Sequence, residues 1–309
     1  MDQQVLLPLL LSVIGAATPL LLAAIGELVT EKAGVLNLGV EGMMLSGAVL
    51  GFAATVATGS PALGILAAAA GGIALALGFG VLTLTLMANQ VAAGLALTIF
   101  GIGLSALVGA DFVGMPVEPL AKLDLPVLTE LPVVGPLLFH HDALVYLSLL
   151  LTGGVALFLR RGRGGLVLRA VGESAEAAHS LGYHVVRVRY LAVAFGGLTS
   201  GLAGAYLSLS YTPMWAEGMT GGRGWIALAL VAFASWRPGR VLLGAYLFGG
   251  VGILQLYAQG AGGIGVPSQV MSMLPYVATI VILTVIAAGR WRGRLDAPAC
   301  LGKPFRPST

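Results

Sequence analysis

The sequence predicts an all-α, polytopic membrane protein, and three observations predict it. Of 309 residues, 58% are hydrophobic and only 9% charged, whereas a soluble domain carries roughly 25% charged residues. Mean hydropathy is +0.96, so there are too few polar side chains to cover a water-facing surface. The apolar runs are long and continuous, rich in Leu, Ala, Val and Gly, and lack the short alternating segments of a barrel. The net charge of +3 contains no Lys/Arg block of the kind that grips nucleic acid.

A helix crossing the hydrocarbon core needs about 20 apolar residues, and on that ruler the chain holds about nine spans. Residues 5–25 form the first, since the N-terminus MDQQVLLPLL lacks the basic stretch and small-residue cleavage site of a signal peptide. Residues 35–57, 62–87 and 90–110 follow, then 143–159, 190–211, 225–236, 241–258 and 271–289. The seventh is short and reads as a partial helix, or as half of an irregular pair around Trp236, Arg237, Pro238 and Gly239. The polar segments are too short for a core of their own, so residues 1–309 read as one transmembrane domain, with 160–189 as a loop within it. Small residues at fourfold spacing, Gly47/Gly51, Gly197/Gly201, Gly72/Ala76/Gly80 and Gly101/Ser105/Gly109, predict close helix crossings. Thr18-Pro19 predicts a bend in the first span.

Loop charges predict orientation. Arg160, Arg161, Arg163, Arg169, Arg187 and Arg189 lie in one loop, Arg237 and Arg240 in a turn, and Arg290, Arg292, Arg294, Lys303 and Arg306 in the tail. All three segments are expected on the cytoplasmic side. Residues 111–142 carry Asp111, Glu118, Asp124, Glu130 and Asp142 against Lys122, with five prolines, and are expected outside. The N-terminus is then outside and the C-terminus inside. Cys300 stands alone and receives no role.

Two polar constellations interrupt the apolar pattern. Between the first two spans, GELVTEKAGVLNLGVEG places Glu27, Glu31 and Lys32, then Asn37 and Glu41. Ionisable groups near hydrocarbon depth mark a pathway or a moving element more often than a packing detail. Glu27 and Glu31 share a helical face, and so do Asn37 and Glu41. The segment reads either as a cytoplasmic turn with solvated charges or as a broken early helix facing a path; Asn37 and Glu41 are candidates to line that path, joined by Asn89 and Gln90 at the start of the fourth span, which can also cap that helix. The other constellation is GESAEAAHSLGY in the basic loop. Glu173–Gly182 reads as a short helix ended by glycine, with Ala175, Ala178 and Leu181 as its apolar face. So short a helix needs a partner surface. His140 and His141, and His179 and His184, lack metal-ligand company and read as surface histidines, leaving neither a metal nor a catalytic set.

These motifs carry a resemblance. GESAEAAHSLGY resembles the coupling loop of ATP-binding cassette importer permeases. GELVTEKAGVLNLGVEGMM, ANQVAAGLALTIFGIGL and GGRGWIALALVAFASWRPG resemble, in order, segments of the ribose, galactose and nucleoside branch, which is akin to the branched-chain amino-acid permeases. The form EKAGVLNLGVEG looks most like the nucleoside-type members, which work with a basic-membrane-protein-type binding lipoprotein. The ribose permeases usually carry an added N-terminal span that this chain is expected to lack. The resemblance implies a path for nucleosides through a prokaryotic inner membrane, or for simple sugars in the same group. It implies a separate ATPase docked on a coupling helix through Glu173, Ala177, Ala178 and Gly182, a second permease of different sequence, and an extracytoplasmic binding protein. ATP is then a cofactor of the partner only, in keeping with the lack of a G-x-x-x-x-G-K-[ST] phosphate loop here. A different class is an ion-coupled transporter or channel, which would use Glu27, Glu31 and Glu41 as cation sites; a third, an intramembrane enzyme, would need a reactive His/Asp cluster at bilayer depth.

Overall fold

A computed structural model describes residues 3–124, 134–260 and 297–306, with isolated positions between 270 and 284. The chain order is α1 (Gln3–Lys32), α2 (Val40–Thr58), α3 (Pro61–Gly80), α4 (Gln90–Gly109), β1 (Lys122–Asp124), α5 (Val134–Phe139), β2 (His140–Asp142), α6 (Ala143–Arg161), α7 (Arg163–Glu173), α8 (Ala175–Ser180), α9 (Val185–Tyr206), α10 (Arg223–Phe233) and α11 (Pro238–Gly260). Among the described residues, seven helices are long and apolar enough to cross a membrane. The expected ninth span, residues 271–289, lies outside the described residues.

The helices are nested rather than side by side. α9 and α2 sit at the centre, with 78% and 72% of their apolar windows buried, while α3, α4 and α6 at 33% form an outer layer. The small residues seen in the sequence decide this. A Cβ on Gly47 would lie 2.6 Å from the Gly201 Cα, and one on Gly42 would lie 2.6 Å from the Leu97 carbonyl oxygen. Backbone therefore meets backbone where α2 crosses α9 and α4, an approach open only to residues without side chains. Outside the membrane-length helices, β1 and β2 pair antiparallel, with Leu123 opposite His141. Asp142 caps α6 by accepting the N–H groups of Leu144 and Val145.

Three boundaries differ from the sequence reading. α1 does not end at residue 25; it continues through Glu27 and Glu31 to Lys32. The break therefore falls at residues 33–39, and α2 starts at Val40. α10 has 11 residues, about 16 Å of helix, half the thickness of the hydrocarbon core. The seventh predicted span is thus a half-helix. α9 starts at Val185, so Arg187 and Arg189 belong to a helix and not to a loop. Arg189 is 2% exposed. The inward stripe Val185, Arg189, Ala192, Val193, Gly196 carries it into the interior at helical spacing.

Candidate functional site: a broken segment and its polar collar

Residues 33–39 turn at the foot of α1 and climb back along α4 in non-helical conformation. Leu36 meets Gln90 at the start of α4, and Leu38 meets Thr98 two turns further on. Gly42 then lies against Gly101. Eleven residues of α4 separate the first and last of these contacts, about 16 Å of rise. α2 consequently begins deep inside the bundle, not at its edge.

Irregular backbone at membrane depth survives only where protein or water satisfies its polar groups. The N–H groups of Ala33, Gly34 and Val35 bond main-chain carbonyls at the end of α1; from Leu36 onward side chains supply partners. Gln90 Oε1 accepts the Leu36 N–H at 2.8 Å, Glu27 Oε1 the Asn37 N–H at 3.1 Å, and Asn37 Oδ1 the Gly39 N–H at 2.9 Å. The Thr98 hydroxyl donates to the Leu38 carbonyl at 3.0 Å. Arg189 Nε donates to the Ala33 carbonyl at 3.2 Å. The sequence reading placed Glu27, Asn37 and Gln90 here by their polarity; the structure brings them together on one strip of main chain. Asn89 stands apart. It is exposed and caps α4 by accepting the Ala92 N–H at 3.0 Å.

Glu41 joins two helix starts. Its carboxylate accepts from the Thr220 hydroxyl at 2.5 Å, the Gly222 N–H at 2.9 Å and the Gly224 N–H at 2.6 Å. These donors wrap the N-terminus of α10, where free N–H groups and the helix dipole favour negative charge. Gly222 reaches this position through φ +81°, a left-handed turn that suits glycine. A Cβ on Gly224 would lie 2.6 Å from Glu41 Cα, so the second glycine permits the approach itself. Thr220, Gly222 and Gly224 were absent from the sequence reading. Their signal was the GGRG run preceding a short apolar helix, a nest of main-chain donors awaiting an anion.

Glu31 holds the other end of α10. Ser235 and Trp236 follow that helix with φ +51° and +54°, a conformation costing roughly 1–3 kcal/mol for residues with side chains. The Trp236 indole N–H donates to Glu31 Oε2 at 2.5 Å, which fastens the strained turn to the last turn of α1. Glu31 is 3% exposed, so the reading of this segment as a solvated turn does not hold.

Two of the basic segments share one face, and Pro298 of the tail meets it; Arg290, Arg292 and Arg294 lie outside the described residues. Lys32, Arg160, Arg169, Arg237, Arg240 and Pro298 line a single cleft of about 910 Å³. α8 lies beside it, preceded by Ser174, whose hydroxyl accepts the Ala177 N–H at 3.3 Å, and followed by Gly182 at φ +87°. The expected apolar face of this helix splits. Ala175 and Ala178 are 5% and 2% exposed and pack on Val171, Val185 and Phe305 of the same chain. Leu181 is 76% exposed, because it lies beyond the last helical residue and no longer follows the helical period. Ala178 is therefore an inward contact, while Glu173, Ala177, Leu181 and Gly182 face outward.

A family profile described as branched-chain amino acid transport system / permease component matches residues 9–286. The chain belongs to this permease family. A protein of Haloferax volcanii provisionally named a glucose ABC transporter permease is 44% identical to this permease, across 95% of each chain. A guanosine ABC transporter permease of Bacillus subtilis is 31% identical, across 94% of this permease and 93% of the relative. A nucleoside ABC transporter permease of Lactococcus lactis is 29% identical, across 87% and 89%. No solved structure matches the permease. Membership makes the chain a multi-pass transport subunit. The broken segment, with α10 hung between Glu41 and Glu31, gathers three buried carboxyl groups, Glu27, Glu31 and Glu41.

Proposed function

We propose that this permease forms one half of the path of an ATP-driven importer for a neutral solute that carries a sugar ring, a nucleoside first. The N-terminus lies outside and the basic face lies in the cytoplasm of a prokaryote, where an ATPase docks on α8. A second permease of different sequence completes the path, and an extracytoplasmic binding protein delivers the solute. The observation that carries this reading is the family match along most of the chain together with the two relatives named for guanosine and nucleosides. A hexose is the second reading, favoured by the 44% identity to the Haloferax volcanii protein.

Uptake competition separates the two. In cells expressing the complete transporter, unlabelled guanosine is expected to suppress uptake of labelled nucleoside, while glucose in the same excess leaves it unchanged. Transporter-dependent uptake of labelled glucose that excess glucose suppresses and guanosine does not assigns the hexose, and the absence of transporter-dependent uptake of either label removes both.

The docking surface has its own test. Leu181 is exposed and outside the helix, so Leu181→Arg leaves the fold intact and places charge where an apolar contact is proposed. Copurification of the ATPase is expected to drop about tenfold, the cost of one apolar anchor of 1–2 kcal/mol. Retention at the wild-type level would refute docking on α8.

A further inference from the structure

Residues 297–306 cross the foot of the bundle and touch three elements that are distant in sequence. The Cys300 N–H donates to the Gly172 carbonyl at 2.9 Å, in the last turn of α7. The Gly302 N–H donates to the Gly34 carbonyl at 3.2 Å, in the broken segment. The Lys303 carbonyl accepts from Arg189 Nη1 at 3.1 Å, and the same guanidinium holds the Ala33 carbonyl. Phe305 is 8% exposed against Val171, Ala175, Ala178 and Val185, and its ring stands edge-on to His179 with centroids 5.6 Å apart.

The mechanical consequence follows from how α8 is mounted. It has six residues, too few to persist alone. Both ends are non-helical joints, Ser174 in extended conformation and Gly182 at positive φ. Its inward side offers only two alanine methyl groups. Among the described residues, the largest side chain in the cluster around those alanines is Phe305, beside Val171 and Val185. Without it, α8 can swivel on its joints, and a push on α8 is absorbed there.

We propose that residues 298–305 form a strap that transmits displacement of α8 to residues 33–39, and through them to α2 and the Glu41 junction. The strap grips α8 with Phe305 and the broken segment with Gly302 and Lys303. This inference deepens the docking reading and rests on it.

The test uses the complete transporter in liposomes, with ATPase, both permeases and binding protein. Three quantities are measured together: ATPase retained, ATP hydrolysed, and solute imported per ATP. Phe305→Ala is expected to keep the ATPase bound and hydrolysing at the wild-type level, while solute per ATP falls about tenfold, within the range of ordinary coupling free energies. Phe305→Leu, which keeps apolar bulk against the alanines, is expected to restore most of it. Unchanged solute per ATP in Phe305→Ala overturns the strap, and so does loss of the ATPase in that variant or failure of the leucine to restore coupling, since each makes Phe305 a folding residue only. The docking reading fails on a different observable, ATPase retention in Leu181→Arg, so the two failures are distinguishable.

Discussion

Replacing Gly201 with leucine is expected to prevent assembly of the bundle, or to lower its apparent unfolding temperature by roughly 10 °C or more. Gly201 lies where three helices meet. A Cβ there would strike the Ala68 carbonyl of α3 and come within 3.3 Å of the Ala69 Cα. Conversely, Gly201 Cα is what a Cβ on Gly47 of α2 would meet at 2.6 Å, and one on Gly72 of α3 at 3.0 Å. All of these neighbours are main-chain atoms, so no rotamer change relieves the overlap. The helices must move apart, and that separation opens gaps along α2, α3 and α9 together. Dense interiors turn such gaps into lost dispersion contacts. Gly103 of α4 is the matched control, since its Cβ would meet nothing within 4 Å, and Gly103→Leu is expected to be near-neutral. Fluorescence-detected size-exclusion chromatography of detergent extracts after a heating series reads both. A Gly201→Leu protein that elutes and unfolds like wild type would mean that the close crossing of α2, α3 and α9 is wrong.

That crossing was legible in the sequence because small residues at fourfold spacing have one dominant use in a membrane. The apolar runs 62–87, 90–110 and 143–159 were legible for a similar reason, since hydrophobic length is a direct image of bilayer thickness. They reappear as helices with every end within two residues, the π-helical turn Val81–Thr85 completing the first of them. The end of α1 was not legible. Glu27 and Glu31 look like the start of a polar turn, yet both carboxyls are bonded inside the protein, one to the Asn37 N–H and one to Trp236. Their partners lie 10 and 205 residues away; local composition holds no record of such pairings. Arg189 failed for the opposite reason. Charge count placed it in a loop, whereas its spacing from Val185 and Val193 placed it on the buried stripe of α9. The inward turn of Ala178 depended on Phe305, 127 positions further along, and only the fold could supply it.

Glu41→Ala is expected to reduce the maximal transport rate by at least about tenfold while the half-saturation concentration stays near wild type. The carboxylate holds three donors from residues 220–224. Alanine leaves the Gly222 and Gly224 N–H groups without this acceptor, and a buried donor left unpaired costs about 1–3 kcal/mol. It also removes the negative group from the N-terminus of α10, worth about 0.3–1 kcal/mol more. α10 is only 11 residues long and cannot absorb such a loss by fraying at its start, because its other end is pinned by Trp236 to Glu31. Glu41→Gln is expected to fall between the two. Its oxygen can keep the Thr220 and Gly222 bonds, but its NH₂ then faces the Gly224 N–H, donor against donor. The split between rate and affinity is the discriminating feature. A carboxylate whose oxygens are spent on α10 positions a half-helix, so its removal slows the conformational cycle. A carboxylate that touched the solute would instead raise the half-saturation concentration and leave the maximal rate in place. Uptake measured over a range of solute concentrations for wild type, Glu41→Ala and Glu41→Gln tells these apart, and a rise in half-saturation with unchanged maximal rate would move Glu41 from the scaffold of α10 to the solute itself.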